Sequence, residues 1–196
     1  MLPVMSRGRC WVLAAACALV GVTGLGAQTR QIDSERSKLT VYVYKSGLFS
    51  AFADDHIIQA PIARGSLSDT QPLAVDLLVH AADLKVLDPN LAPSKRAEVQ
   101  TRMLSAEVLD TNRFADITFA SDVVEPMGAD RWRVSGRLTI HGRVRPVTLA
   151  AARQGASYRG SIEIKQRDFD IKPISIAGGT VKVKDQIKIE FEIIAR

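Results

Sequence analysis

WRVSGRLTIHGRVRPVTL, residues 132–149, is the stretch that decides the fold of this chain. In its first half, apolar side chains alternate with arginine, serine and threonine. Successive side chains of a strand point to opposite faces, so this half predicts a strand with one apolar and one basic face. His141 and Gly142 supply the turn, because glycine tolerates the positive φ of a tight hairpin. Val147 and Leu149 resume the apolar face in a second strand.

The same period of two recurs along most of the chain and predicts further strands. These strands cover 38–45, 57–68, 75–80, 117–123, 158–165 and 187–193. Pro61 indicates an edge or a bulge, because proline has no N–H for a sheet ladder. In the strand at 117–123, Ser121 and Val123 are expected on the same face as Phe119. The side chains expected on the inner face of the whole sheet are Val75, Leu77, Val79, Ile117, Phe119, Trp132, Val134, Leu138, Ile140, Val147, Leu149, Ile162, Ile164, Ile187, Ile189 and Phe191.

One segment, 94–107, has helical character. Good helix formers fill it, and Ser94 is placed to cap its start. Val99 and Met103 lie four residues apart, so they would share one face of the helix. The prediction is therefore a mainly β domain over 28–196, with about eight strands and one short helix.

Two architectures satisfy this alternation. Eight half-buried strands in sequence can close as an antiparallel up-and-down barrel, which removes exposed edges. A β-sandwich gives the same pattern, so periodicity leaves both open. An eight-stranded barrel is either filled by its own side chains or holds one small ligand, and composition does not separate these two cases.

The first 27 residues have the features of a secretory signal peptide. A short basic start precedes an uncharged run over 10–26, and small residues lead to Ala27. We expect export to the periplasm with removal of 1–27. A retained membrane anchor is the alternative, which the length disfavours because about 20 apolar residues are needed to span a bilayer. Cys10 and Cys17 are the only cysteines, so the processed chain would have neither a disulfide nor a thiolate.

The charge pattern argues against a nucleic-acid partner. Lys and Arg number 26 against 21 Asp and Glu, a net charge of +5. The cations are spread over alternating strand positions, whereas a nucleic-acid binder has a concentrated basic patch interleaved with aromatic residues. There is no phosphate loop, dinucleotide fingerprint or serine-hydrolase elbow, so no cofactor is predicted.

Asp54, Asp55 and His56 form the sharpest polar cluster. One interpretation is a metal or acid–base site, and the other is a loop held by side chain to backbone hydrogen bonds. Consecutive residues of an extended chain face opposite ways, and zinc needs three or four converging ligands. His80 and His141 stand far away in the sequence. This favours the loop, with no metal.

Three pieces of sequence together resemble a known family. They are 136–142 with 146–149, 103–105 leading into 114–119, and 167–171. In this order they are similar to the YceI-like proteins, a lipocalin-like family of exported bacterial barrels. The chain departs from the family's usual glycines at 53–56 and at Asp170.

The resemblance implies an extended eight-stranded barrel with a helix by its opening. It also implies a long apolar cavity that binds a polyisoprenoid or a similar amphiphile. The inner-face residues named above would then line the cavity. The residues that would stand at its mouth are Phe49, Phe52, His56, Arg145 and Phe169.

Three functions remain open at this point. The first is an exported binding protein whose only partner is a hydrophobic small molecule, with no membrane span after processing. The second is an enzyme that acts on a lipid through Asp54, Asp55 or His56. The third is a structural or stress-response barrel without a ligand. The oligomeric state stays open, with a homodimer as one option.

Export makes a direct prediction about the mature N-terminus. Sequencing of the protein from its native host should begin near Ala27 or Gln28, because small residues precede that point. An intact Met1 on the exported protein would contradict it.

Overall fold

The computed structural model describes residues 28–46, 55–176 and 181–196. Its strands are β1 (Thr29–Gln31), β2 (Lys38–Ser46), β3 (His56–Gln59), β4 (Arg64–Ser68), β5 (Ala74–His80), β6 (Lys85–Val86), β7 (Asp116–Pro126), β8 (Arg131–Ile140), β9 (Arg143–Gln154), β10 (Ser157–Lys165), β11 (Ser175–Ile176) and β12 (Val181–Ile194). One helix, α1 (Pro93–Leu104), and two short 3₁₀ turns, Ala81–Asp83 and Gln166–Phe169, accompany them. The strands form one sheet in the order β1-β4-β5-β7-β8-β9-β10-β12-β2-β3-β6, with β11 on β12. The sheet is antiparallel and curled, which confirms the predicted fold class.

The hairpin of residues 132–149 is present as predicted. Ile140 lies directly opposite Arg143, so His141 and Gly142 alone make the turn. Both have positive φ, 51° and 68°, which is the combination that a type I′ turn requires. The Phe114 ring packs against the turn, with its centroid 4.3 Å from that of His141.

A single bent segment joins the two sides of the curled sheet. Its first half, β3, pairs with β2, and its second half, β4, pairs with β5. The Ala60 N–H still donates to the Leu39 carbonyl, whereas the Ala63 N–H donates to the Leu78 carbonyl, each at 2.9 Å. Pro61 stands at the change of partner, where its missing N–H is tolerated.

The described residues form twelve strands, a few more than the sequence predicted. β3 and β4 are the two halves of one predicted strand. β1, β6 and β11 are two or three residues long, and an alternation that short cannot be distinguished from chance. When β3 and β4 are counted as one strand and the three short strands are set aside, the sheet consists of the predicted strands.

Helix α1 confirms the predicted helix but not its cap. Ala92 occupies the N-cap position and Pro93 the first turn, while Ser94 makes no capping hydrogen bond among the described residues. Proline at the first helical position needs no N–H partner, which explains where the helix begins. Met103 is buried and Val99 packs against the same core, so the predicted shared face is confirmed.

A bulge in β7 corrects one predicted position. The register between β7 and β8 shifts between Ser121 and Val123. An extra residue turns the following side chains to the opposite face. Val123 is therefore 53% exposed, and Val124 takes its expected place on the inner side.

Gly136 generates a prediction about packing inside the sheet. A Cβ at this position would overlap the Ala120 carbonyl oxygen and the Phe119 ring. Gly136→Ala should lower the free energy of unfolding by about 1–3 kcal/mol in urea denaturation, because the buried site cannot yield without moving backbone.

Gly155→Asn is the matched control. Gly155 lies at φ 61° with no described atom near its side-chain position, and asparagine tolerates that conformation. Equal stabilities for the two variants would contradict the close approach of Gly136 to the Ala120 carbonyl and the Phe119 ring.

Candidate ligand-binding cavity

The curled sheet encloses an apolar cavity of about 260 Å³. Every inner-face residue predicted from the sequence, from Val75 to Phe191, lies in its wall. Leu39, Val41 and Val43 of β2 also line it. The sequence reasoning missed these three, although the same period of two runs through 38–45. Whether the lining side chains contact a ligand stays a prediction.

The middle of the cavity is hollow. Val41, Ile117 and Ile189 are apolar and face inward, yet each is only half-buried. In a filled core such residues would be almost wholly covered by neighbours, because protein interiors are close-packed. The structure thus favours an open interior over a packed one at this level.

The end of the cavity next to α1 is closed by packed side chains. Met103, Leu109, Ile140 and Ile171 are all buried there in one apolar cluster. Phe169 belongs to the same cluster and is 1% exposed. The predicted mouth residue Phe169 is therefore an interior side chain, because the 166–169 turn folds its ring inward.

The opposite end of the cavity is less covered and carries polar groups. Leu73, Val124 and Trp132 line it and are half-buried. Asp69 and Tyr158 line it too, and the Tyr158 hydroxyl donates to the Asp69 carboxylate at 2.9 Å. These residues form what we call the polar end of the cavity. Sequence reasoning missed Asp69, because only the fold brings it to Tyr158.

Charge at the polar end is fixed by hydrogen bonding. The Tyr158 hydroxyl, and then the Arg30 guanidinium at 2.9 Å, lower the pKa of Asp69 below its usual value. Burial, together with the Asp69 carboxylate, raises the pKa of Tyr158. Arg30 also donates to the Ala195 carbonyl at 2.6 Å. The cavity therefore ends at an ionised carboxylate and a neutral phenol at neutral pH.

Two residues of the predicted acidic cluster, Asp55 and His56, are engaged in hydrogen bonds within the fold. Asp54 lies outside the described residues. The Asp55 carboxylate accepts from the Lys45 N–H at 2.8 Å. His56 contacts the Asp88 carboxylate through Nδ1 at 2.7 Å, and the Ile57 N–H donates to the same carboxylate at 2.7 Å.

Asp88 is the residue that sequence reasoning missed here. It is 4% exposed and holds β3 by the hydrogen bonds just described, a role that no local pattern marks. Asp55, His56 and Asp88 are not among the residues that line the cavity. Within residues 28–46, 55–176 and 181–196, no three His, Asp or Glu side chains are grouped as a metal site.

The remaining mouth candidates are placed as follows. Phe49 and Phe52 lie outside the described residues. Arg145 lies directly opposite Leu138, so its parity is that of the inner face, but its exposed side chain borders a second cleft.

In the described part of the chain, no helix has the length and apolarity of a membrane span.

The hydrogen bond from Tyr158 predicts a pH-dependent contribution to stability. Because the pKa of Asp69 is lowered by folding, its contribution is present above the unfolded-state value of about 4 and is lost as pH falls through the lower folded-state value. Tyr158→Phe should lower the free energy of unfolding by about 1 kcal/mol at pH 7. The difference from the parent should shrink as the pH falls below about 4 and through the lowered folded-state pKa of Asp69. Urea denaturation at pH 7 and over this acid range measures it, with Tyr44→Phe on the outer face as control. A pH-independent difference would refute this account.

Comparison with known proteins agrees with the fold. The chain is 28% identical to a UPF0312 protein of Shewanella baltica over 141 residues, which cover 67% of this chain and 66% of that relative. A UPF0312 protein of Vibrio parahaemolyticus is also 28% identical, over 124 residues, 57% of this chain and 64% of its own. The chain thus spans slightly under two thirds of the length of these curated relatives.

Solved structures give the same result. BcnA of Burkholderia cenocepacia superposes with a TM-score of 0.60 at 18% identity, over 84% of this chain and 99% of its own. A polyisoprenoid binding domain from Saccharophagus degradans gives 0.58 at 15% identity, over 85% and 97%. At such identities the likeness shows the fold alone. The model of the YceI-like domain matches residues 31–195, nearly all of the described chain. This chain therefore belongs to the YceI-like family.

Proposed function

We propose that this protein is an exported binding protein that holds the apolar chain of a polyisoprenoid or similar long amphiphile. One observation carries the proposal. Inward-facing aliphatic side chains such as Val41, Ile117 and Ile189 are only half-buried around a hollow centre. A bound hydrocarbon chain would cover them, and each Å² of apolar surface removed from water contributes roughly 25 cal/mol.

The chemistry of the lining supports an apolar ligand class. Ligand cavities are mostly apolar, with a few polar groups that orient the ligand. Asp69 and Tyr158 at the polar end are such groups, and Trp132 lies beside them with its ring centroid 5.6 Å from that of Tyr158. The Saccharophagus degradans domain of the same fold is described as polyisoprenoid binding, which agrees with this ligand class.

Export to the periplasm is part of the proposal. It rests on the basic start, the uncharged run and the small residues of 1–27. A hydrophobic cargo needs a carrier in an aqueous compartment, because its exposure to water is unfavourable.

Catalysis by the acidic cluster is less well supported than binding. A catalytic acid or base must come within hydrogen-bond reach of the substrate. His56 instead contacts Asp88, and Asp55 holds the Lys45 N–H. Neither residue lines the cavity in which the amphiphile would lie.

A pair of tryptophan variants tests the proposal. Ile189→Trp places volume in the hollow centre, so we expect little change in stability and loss of bound lipid. Leu138 is 8% exposed within the packed cluster, so Leu138→Trp should instead cost about 1–3 kcal/mol through overpacking. Mass spectrometry of organic extracts from natively purified protein measures the lipid, and urea denaturation measures stability.

The two variants control for each other. Absence of any lipid from the parent, together with equal destabilisation by both substitutions, would mean a packed barrel without a ligand. Addition of a polyprenol to the purified parent protein, followed by repurification, checks that the cargo was not lost on isolation.

A further inference from the structure

Strands β9 and β10 separate along half of their length. They pair only between 150–154 and 157–161. Beyond that point β9 continues to pair with β8 as far as Arg143, and β10 continues to pair with β12 as far as Lys165. The sheet is therefore continuous from β8 to β9 and from β10 to β12, while a gap opens between β9 and β10. Backbone groups normally pair in a closed wall, so this gap requires an explanation.

A cleft of about 460 Å³ occupies the gap, and we call it the side window. Its polar rim includes Arg145, Thr148, Glu163, Lys165, Asp168 and Gln186. Its floor consists of Val147, Ile162, Ile164 and Phe169, and the same four residues line the main cavity. A single layer of apolar side chains thus separates the side window from the hollow interior.

The wide end of the side window is held by the turn at 166–170. Phe169 in this turn is 1% exposed and fills the space between window and cavity. The His141 ring donates from Nδ1 to the Phe169 carbonyl at 3.2 Å. The Asp170 carboxylate binds the Arg143 guanidinium at 2.5 Å, and Asp170 has φ 59°. A residue other than glycine is uncommon in that conformation. The ion pair therefore fastens a turn of unfavourable backbone geometry to β9.

We propose that the side window is the lateral entry to the cavity, with Phe169 as its plug and the Arg143–Asp170 pair as its latch. This rests on the proposed function, because it names the route by which the amphiphile reaches the same cavity. When the turn swings outward, an apolar chain passes between β9 and β10 over Val147 and Ile162. Entry at the polar end would instead pass the hydrogen-bonded Asp69 and Tyr158.

The latch is tested by removing its charge. Asp170→Asn keeps a residue that tolerates positive φ but abolishes the ion pair. The pair is half exposed, so its contribution is small. We expect association and dissociation of a fluorescent long-chain polyprenol analogue, followed by stopped flow, to accelerate about two- to five-fold with an unchanged Kd.

Asp122→Asn is the matched control, since Asp122 pairs with Arg137 at 3.0 Å elsewhere on the sheet. Raised salt should accelerate exchange in the parent and have less effect in Asp170→Asn, because salt screens exposed pairs. Identical exchange rates in the parent, Asp170→Asn and Asp122→Asn would overturn the latch.

A cross-link tests the route itself. Continuing the β9–β10 register past its last pair brings Thr148 opposite Glu163 across the side window. In a chain that carries Cys10→Ser and Cys17→Ser, the double variant Thr148→Cys with Glu163→Cys is cross-linked by a short bismaleimide. We expect exchange to slow by at least about tenfold. Glu163→Cys with Lys188→Cys, at an opposite pair in the β10–β12 ladder, gives the control cross-link. If both cross-linked proteins exchange as fast as the parent, the ligand enters elsewhere and the proposal is wrong.

A third measurement needs no ligand. Ile164 is 7% exposed on the floor of the side window. The thiol of Ile164→Cys should react with a thiol reagent faster when Asp170→Asn is also present, because the plug opens more often. Equal labelling rates would overturn the gate. If labelling accelerates but no variant binds any polyprenol, the gate stands and the proposed function fails, so the two outcomes are separable.

Discussion

The structure depends on one constraint, that a curled sheet must satisfy the backbone groups of its two edges. The bent segment of β3 and β4 does this by changing partners within four residues. The Ala60 N–H donates to the Leu39 carbonyl of β2, and the Ala63 N–H donates to the Leu78 carbonyl of β5, the strand that pairs with β4. Pro61 stands at this change of partner, where a backbone N–H would have no acceptor and where proline, which has no N–H, is tolerated. Without this change the sheet would keep two open edges, which invite aggregation.

Closure of the sheet around empty space has an energetic consequence. A hollow centre lacks the van der Waals contacts that a filled core would make. The burial of apolar side chains that stabilises the fold must therefore come from the ends of the barrel. One apolar cluster around Met103 and Phe169 packs the end at α1, and a second, smaller cluster around Ile32 and Ile193 packs against Tyr158 beside the polar end. The middle is left with half-covered aliphatic side chains. Stability and binding are therefore assigned to different levels of the same barrel.

Polar groups are arranged around this division. Most ion pairs, such as Arg137 with Asp122, lie on the outer face and contribute little to stability. The hydrogen-bonded pair of Asp69 and Tyr158 differs from these ion pairs, because it lines the cavity and each residue shifts the pKa of the other. The side window is the other departure, since β9 and β10 forgo pairing there. Both departures are places where the barrel wall meets an amphiphile in the proposed function.

The sequence by itself determined the longer strands, the hairpin turn and the side chains of the inner face. A period of two is a local property, so Val134, Leu149 and Ile189 could be assigned to one face without knowledge of their neighbours. Local signals also marked the helix and the turn at His141 and Gly142. By contrast, the bulge that exposes Val123 depends on how β7 registers against β8. Only the tertiary structure decided that the interior is hollow, that Asp69 meets Tyr158 from 89 residues away, and that Phe169 turns inward. These features follow from long-range packing, in which a side chain's environment is set by residues remote in sequence and is therefore absent from any local pattern.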